Sequence, residues 1–136
     1  MKFEMNTELL NYRREKAKQS LKDAKIMFSK ASLFSTVNRI YYSIFYEVTA
    51  LLLIKGLSSS KHSGVRSIFN RKFVKIGLIK EEFGDFYNKM FEFRQKGDYG
   101  DFVQFEKEKV ASWLKRAEDF IIAIDEIIEN IIKEDR

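Results

Sequence analysis

A chain of 136 residues is long enough for one hydrophobic core and too short for two, so residues 1–136 are read as a single domain. With 45% hydrophobic residues, 13 Phe, 6 Tyr, no Pro and only six Gly, disorder is excluded and helix breakers are nearly absent, so an all-α protein follows. The net charge of +5 is unevenly placed: residues 1–80 carry 16 Lys and Arg against 5 Asp and Glu, whereas residues 81–136 carry 9 against 15. The basic first part can draw phosphate-rich partners, or it is an ordinary set of solvated helix faces.

Thr7 is the expected N-cap of a first helix, in which Leu10, Ala17, Leu21, Ala24, Phe28 and Ala31 recur at steps of three, four or seven with Lys and Arg between them. Ser32 or Ser35 caps a second helix that runs through Val37, Ile40, Tyr41, Ile44, Phe45, Val48, Leu51 and Leu52 and stops at Gly56. It is apolar nearly all round, which assigns it to the centre. After Leu57 and three serines, a shorter helix carries Val65, Ile68, Phe69 and Phe73 and ends near Gly77. A fourth helix starts at about Lys80 and bears Phe83, Phe86, Tyr87, Met90, Phe91 and Arg94. Gly97 and Gly100 are expected to interrupt it and to open a loop over residues 97–101. The last helix, from about Phe105, sets Val110, Trp113, Ala117, Phe120, Ile124, Ile127 and Ile131 in heptad spacing. This order predicts a four-helix up-and-down type bundle with an additional short helix. The apolar face of the last helix is wider than one groove requires, which a partner copy or a deep core can cover.

Without Cys there is no disulfide, thiolate metal site or Cys nucleophile, as suits a reducing cytoplasm. The longest apolar run, 50–54, is far short of the roughly 18 residues of a membrane span. The first residues also lack the pattern of a signal peptide, so a cytoplasmic protein off the membrane is expected. His62 is the only imidazole, which excludes a His-based metal centre within one chain. Glu81, Glu82 and Asp85 read as a solvated helix start with favourable dipole contacts. Neither metal nor cofactor is expected.

Two constellations can carry chemistry. Arg94 precedes Asp98 by one turn, with Tyr99 next. Arg can grip a phosphate with two parallel hydrogen bonds, Asp can orient the Arg, and Tyr can stack or donate through its hydroxyl. The plainer alternative is an ion pair between Arg94 and Asp98 at a helix end. Arg39, Ser43 and Glu47, at steps of four, form a polar stripe on the apolar second helix. Either Ser43 bridges a buried Arg39–Glu47 network, or the stripe lines a groove opposite Arg94.

Four segments carry a family resemblance. They are the Ala-Leu rhythm of 17–31, Arg39-Ile40-Tyr41-Tyr42-Ser43-Ile44-Phe45-Tyr46 with Ala50-Leu51-Leu52, Lys61-His62-Ser63-Gly64-Val65, and Arg94-Gln95-Lys96-Gly97-Asp98-Tyr99. Together they resemble the HEPN family, in particular its small stand-alone prokaryotic branch, often encoded beside a minimal nucleotidyltransferase. The resemblance implies a helical bundle that forms a homodimer, and a metal-independent RNA-cleaving site made from two copies of an Arg-x(4–6)-His motif. It also implies a nucleotidyltransferase antitoxin as partner. Arg94 matches the Arg, but Tyr99, Gly100 and Asp101 stand where the His belongs. An unperturbed Tyr, with a pKa near 10, is a poor substitute for imidazole as a base. Two functions follow from the resemblance: a toxin–antitoxin type module that binds RNA or nucleotide phosphates through Arg94, or a ribonuclease toxin that uses Arg94 with His62 as its base. A purely structural helical interaction module is the remaining alternative. Tyr99 is the position such a partner is expected to modify with adenylyl groups.

Overall fold

The computed structural model describes residues 6–99 and 104–134, with 97–99 described by their backbone alone. Helix α1 spans Thr7–Ser29, α2 Leu33–Ile54, α3 His62–Phe69, α4 Glu81–Tyr99 and α5 Lys107–Glu134. Helix α3 runs on into a π-helical turn over Asn70–Val74. No strand occurs among the described residues, and the protein is an all-α bundle. Among those residues no helix is long and apolar enough to cross a membrane.

Local chemistry sets most of the boundaries. Helix α1 is capped by Asn6 rather than Thr7: the Asn6 side chain accepts the Leu9 N–H at 3.0 Å from an extended backbone, and Thr7 becomes the first helical residue. Ser32 holds the N-cap position of α2, and Gly56, at φ 68°, follows its end as expected of a glycine stop. The turn between α1 and α2 is closed by Ala31, whose φ of 59° is left-handed and strained for a residue with a Cβ. The expected interruption at Gly97 does not occur, because α4 continues through it to Tyr99. A single glycine costs a helix only about 1 kcal/mol, which is not enough to stop it unless the backbone also turns left-handed. Gly100 and Asp101 lie outside the described residues.

Helix α2 is central, packed against α1, α5, α4 and α3, with Ile40, Tyr41, Ile44, Val48 and Leu51 fully buried. Helix α1 lays Leu10, Ala17, Ser20 and Ala24 on it, and the three small side chains let the two backbones approach closely. Helices α4 and α5 meet differently, through rings. Phe83, Phe86 and Tyr87 surround Phe120 with centroids 5.7, 6.5 and 6.4 Å away, and Phe93 lies on Trp113 at 4.9 Å. Aromatic contacts of this size hold the two helices apart, whereas Ala and Ser draw α1 onto α2.

One carboxyl group sits inside this core. Glu47 of α2 is fully buried, and neither of its oxygens accepts a hydrogen bond. It faces Asp125 of α5 and Arg14 of α1, and Arg14 in turn pairs with Asp125 at 3.3 Å and Glu129 at 2.7 Å. Burial above all, and then the neighbouring Asp125 carboxylate, push the Glu47 carboxyl up to about 10, so it is protonated at neutral pH.

Candidate functional site

The site is built on the face of α2 that turns toward α3 and α4. Tyr41 and Tyr42 are consecutive, and their rings meet edge to face at 5.2 Å. Helix α3 begins at His62, which the connection after α2 brings back over this face. The His62 ring stacks on Phe45 at 4.1 Å and 9°, meets Tyr42 edge-on at 6.1 Å, and holds Nδ1 2.8 Å from the buried Tyr41 hydroxyl. Helix α4 delivers Arg94 to the same pair: its guanidinium carbon lies 5.2 Å from the Tyr41 centroid and 5.7 Å from that of Tyr42, and Nη2 donates to the Tyr42 hydroxyl at 3.4 Å. Arg39 also lies over the Tyr42 ring, at 4.9 Å, held by two hydrogen bonds from its guanidinium to Asn38 Oδ1 at 2.7 and 3.2 Å. Nearby, Arg66 lies 4.2 Å over Phe91, whose ring touches Tyr41.

Two tyrosine rings therefore support one imidazole and two guanidinium groups. Burial first, and the positive charge of Arg94 second, hold the His62 pKa below its ordinary value, so the ring is neutral near pH 7. A neutral imidazole can take a proton, and a guanidinium can hold a phosphate. If Tyr41 donates to Nδ1, the proton of His62 sits on Nε2. If Nδ1–H donates to Tyr41, Nε2 is the free base. Among the described residues no three His, Asp or Glu side chains come close enough together to hold a metal ion.

Of the residues singled out in the sequence, the structure brings Arg94, His62 and Arg39 together. It does not bring Ser43 and Glu47 to them. The Ser43 hydroxyl donates to the Ile40 carbonyl at 2.7 Å inside the core, and Glu47 faces α1 and α5, so the expected Arg39–Glu47 network bridged by Ser43 is not formed. The cause is geometric: each step of four advances about 40° around a helix, so positions 39 and 47 differ by about 80°, which is enough to reach different neighbours when a helix is surrounded. The side chains of Asp98 and Tyr99 lie outside the described residues, and with them the expected Arg94–Asp98 pair. Tyr41 and Tyr42, on which the site rests, received no role from sequence alone. The signal was an Arg three residues before a Tyr on one helix, the spacing at which cation and ring meet.

The sequence pattern of the HEPN domain matches residues 10–127. This chain belongs to the HEPN family. A HEPN relative from Thermotoga maritima, named "UPF0332 protein", is 52% identical, with 91% of this chain and 94% of the relative covered. Two proteins of Methanocaldococcus jannaschii are also similar. "Putative toxin MJ0142" is 34% identical over 88% of this chain and 82% of its own length, and "Putative toxin MJ0605" is 36% identical over 87% of each. In this HEPN chain the cluster of Tyr41, Tyr42, His62 and Arg94 lies wholly within the matched span.

Proposed function

We propose that this HEPN chain is a toxin-like module that engages RNA phosphates through Arg94 and works with a nucleotidyltransferase partner. The observation that carries this reading is the convergence of Arg94 and His62 on the same two tyrosine rings. The similarity to two archaeal proteins named as toxins supports it.

The same convergence favours a cleaving form of the reading. The His of the usual motif is absent from 99, 100 and 101, but a neutral imidazole stands beside Arg94 from a different helix. With Arg94 on the non-bridging oxygens of a phosphate, His62 takes the proton of the neighbouring 2′-hydroxyl as that oxygen attacks phosphorus; the bond from phosphorus to the 5′-oxygen of the next nucleotide breaks, leaving a 2′,3′-cyclic phosphate, and the departing 5′-oxygen takes a proton from water. A homodimer sets two such centres along one strand. Tyr99, five residues after Arg94, is the position the partner modifies, and a phosphate attached there competes with RNA for Arg94.

The test is a labelled single-stranded RNA incubated with the wild type, Arg94→Lys and Arg94→Ala in the presence of a metal chelator, with bound and cleaved fractions followed separately. Binding falls in the order wild type, Lys, Ala, because Lys keeps the charge and loses the fork, and it weakens with salt. Equal affinity of wild type and Arg94→Ala at every salt concentration overturns the phosphate assignment. Binding without cleavage retains the module and removes the enzyme.

A further inference from the structure

Because rings space α4 from α5, a pocket of about 540 Å³ opens between the end of α4 and the start of α5, within the range of small-ligand sites. Its floor is aromatic. Phe93, Phe105 and Trp113 pack on one another with centroid separations of 4.9, 5.6 and 5.9 Å. Four cations stand on its lining, Lys89 and Lys96 from α4 and Lys109 and Arg116 from α5, against one carboxylate, Glu106.

Cations elsewhere along α5 are held in ion pairs. Arg14, Lys25 and Lys115 each pair with a carboxylate on α5, whereas none of the four around the pocket forms an ion pair with a described residue. Lys96 lies over Phe93 at 6.0 Å and Arg116 over Phe86 at 4.6 Å. Four like charges beside a single described carboxylate repel one another, and the arrangement becomes more favourable when an anion enters. The occupant must also use three rings. Inorganic phosphate is too small for the space and ignores the rings, whereas a nucleotide carries a flat face to stack and an anion in one molecule.

We infer that the α4–α5 pocket binds a nucleoside phosphate, with its base against the Phe93–Phe105–Trp113 floor and its phosphate held by Lys89, Lys109 and Arg116. The ligand is one nucleotide of a single-stranded RNA or a free nucleotide, which share this chemistry. The site is separate from the Arg94 centre, since Arg94 points from α4 toward α2 and Phe93 toward α5. It stands or falls independently of the function proposed above.

Trp113 is the only tryptophan of the chain and lines the pocket, so its fluorescence reports occupancy. The full chain is titrated with adenosine 5′-monophosphate and with a single-stranded hexa-adenylate, at low and moderate salt. A double variant, Lys89→Ala with Lys109→Ala, removes two exposed cations, and circular dichroism checks its fold. A saturable change in Trp113 emission is expected, weakened about tenfold or more in the double variant and by added salt, and unaltered for the mononucleotide in Arg94→Ala. Equal response to both probes supports the site with a free nucleotide as its source, and response to the hexamer alone supports it with an RNA strand. No saturable change with either probe overturns the inference, as does a change that the double variant leaves intact. A response lost in Arg94→Ala but kept in the double variant assigns the binding to the Arg94 centre and removes this pocket.

Discussion

The Tyr41 hydroxyl stands 2.8 Å from His62 Nδ1, and the same Tyr41 ring carries the Arg94 guanidinium 5.2 Å from its centroid. One buried tyrosine thus joins a base to a cation, and three helices are needed to make the set.

His62 is the only histidine, so a single imidazole signal in an NMR titration belongs to it. Its midpoint should fall below the ordinary value of about 6.5, because burial and then the Arg94 charge disfavour the imidazolium. Arg94→Ala should move the midpoint upward. If RNA is cleaved, the rate should rise with pH through the His62 midpoint and then level off, and His62→Ala should lower it by roughly 10² to 10⁴ while leaving RNA bound. A midpoint unmoved by Arg94→Ala would show that the two groups do not sense each other.

Glu47 carries the opposite kind of shift. Its folded pKa is raised from 4.5 to about 10, so across that window the native state holds a proton that the unfolded chain releases. Stability therefore falls as pH rises through the window. Glu47→Gln keeps the shape and offers an N–H to Asp125 without a proton to lose. Its unfolding midpoint should exceed that of the wild type at pH 8, by about 4 °C for each kcal/mol relieved, and approach it at pH 5. Thermal melts at the two pH values check this, and a constant difference between the proteins would count against a proton held at Glu47.

Ala31 sits at φ 59° between α1 and α2. Glycine adopts that conformation without the Cβ penalty, so Ala31→Gly should stabilise the protein, by about 0.5 to 1 kcal/mol after the greater freedom of glycine in the unfolded chain is counted. Urea denaturation with an unchanged m-value is the measurement. A loss of stability would mean that the α1–α2 turn does not hold this backbone in solution.

Tyr99 and the homodimer are tested together by co-expression with a neighbouring nucleotidyltransferase. Intact-mass and peptide mass spectrometry should find adenylyl groups on Tyr99 and none in Tyr99→Phe. Light scattering at tens of micromolar should give the mass of two chains. Modification that persists in Tyr99→Phe would move the regulated position elsewhere, and a monomer would remove the composite site.

Much of the fold was legible because helical periodicity and burial agree. The all-round apolarity of α2 matches its central place, and Val110, Trp113, Ala117, Phe120, Ile124 and Ile131 are buried on α5. Boundaries were less so. Asn6 and Thr7 are both competent caps, and the choice depends on which backbone is extended. The π-helical turn over Asn70–Val74 has no composition of its own; it accompanies a close packing in which a Cβ on Gly84 would come within 2.9 Å of Asn70 Oδ1. The site was half legible. Arg94 and His62 stand out by type, but their meeting is a tertiary fact set by how α3 folds back over α2. The fate of Glu47 depended on which neighbour its side of α2 faced.

Phe93 and Arg94 are consecutive residues, about 100° apart around α4, and each is seated on a different neighbour: one on Trp113 of α5, the other over Tyr41 and Tyr42 of α2. The end of α4 is thus pinned from two sides, and the two contacts together fix how this segment is turned about its own axis.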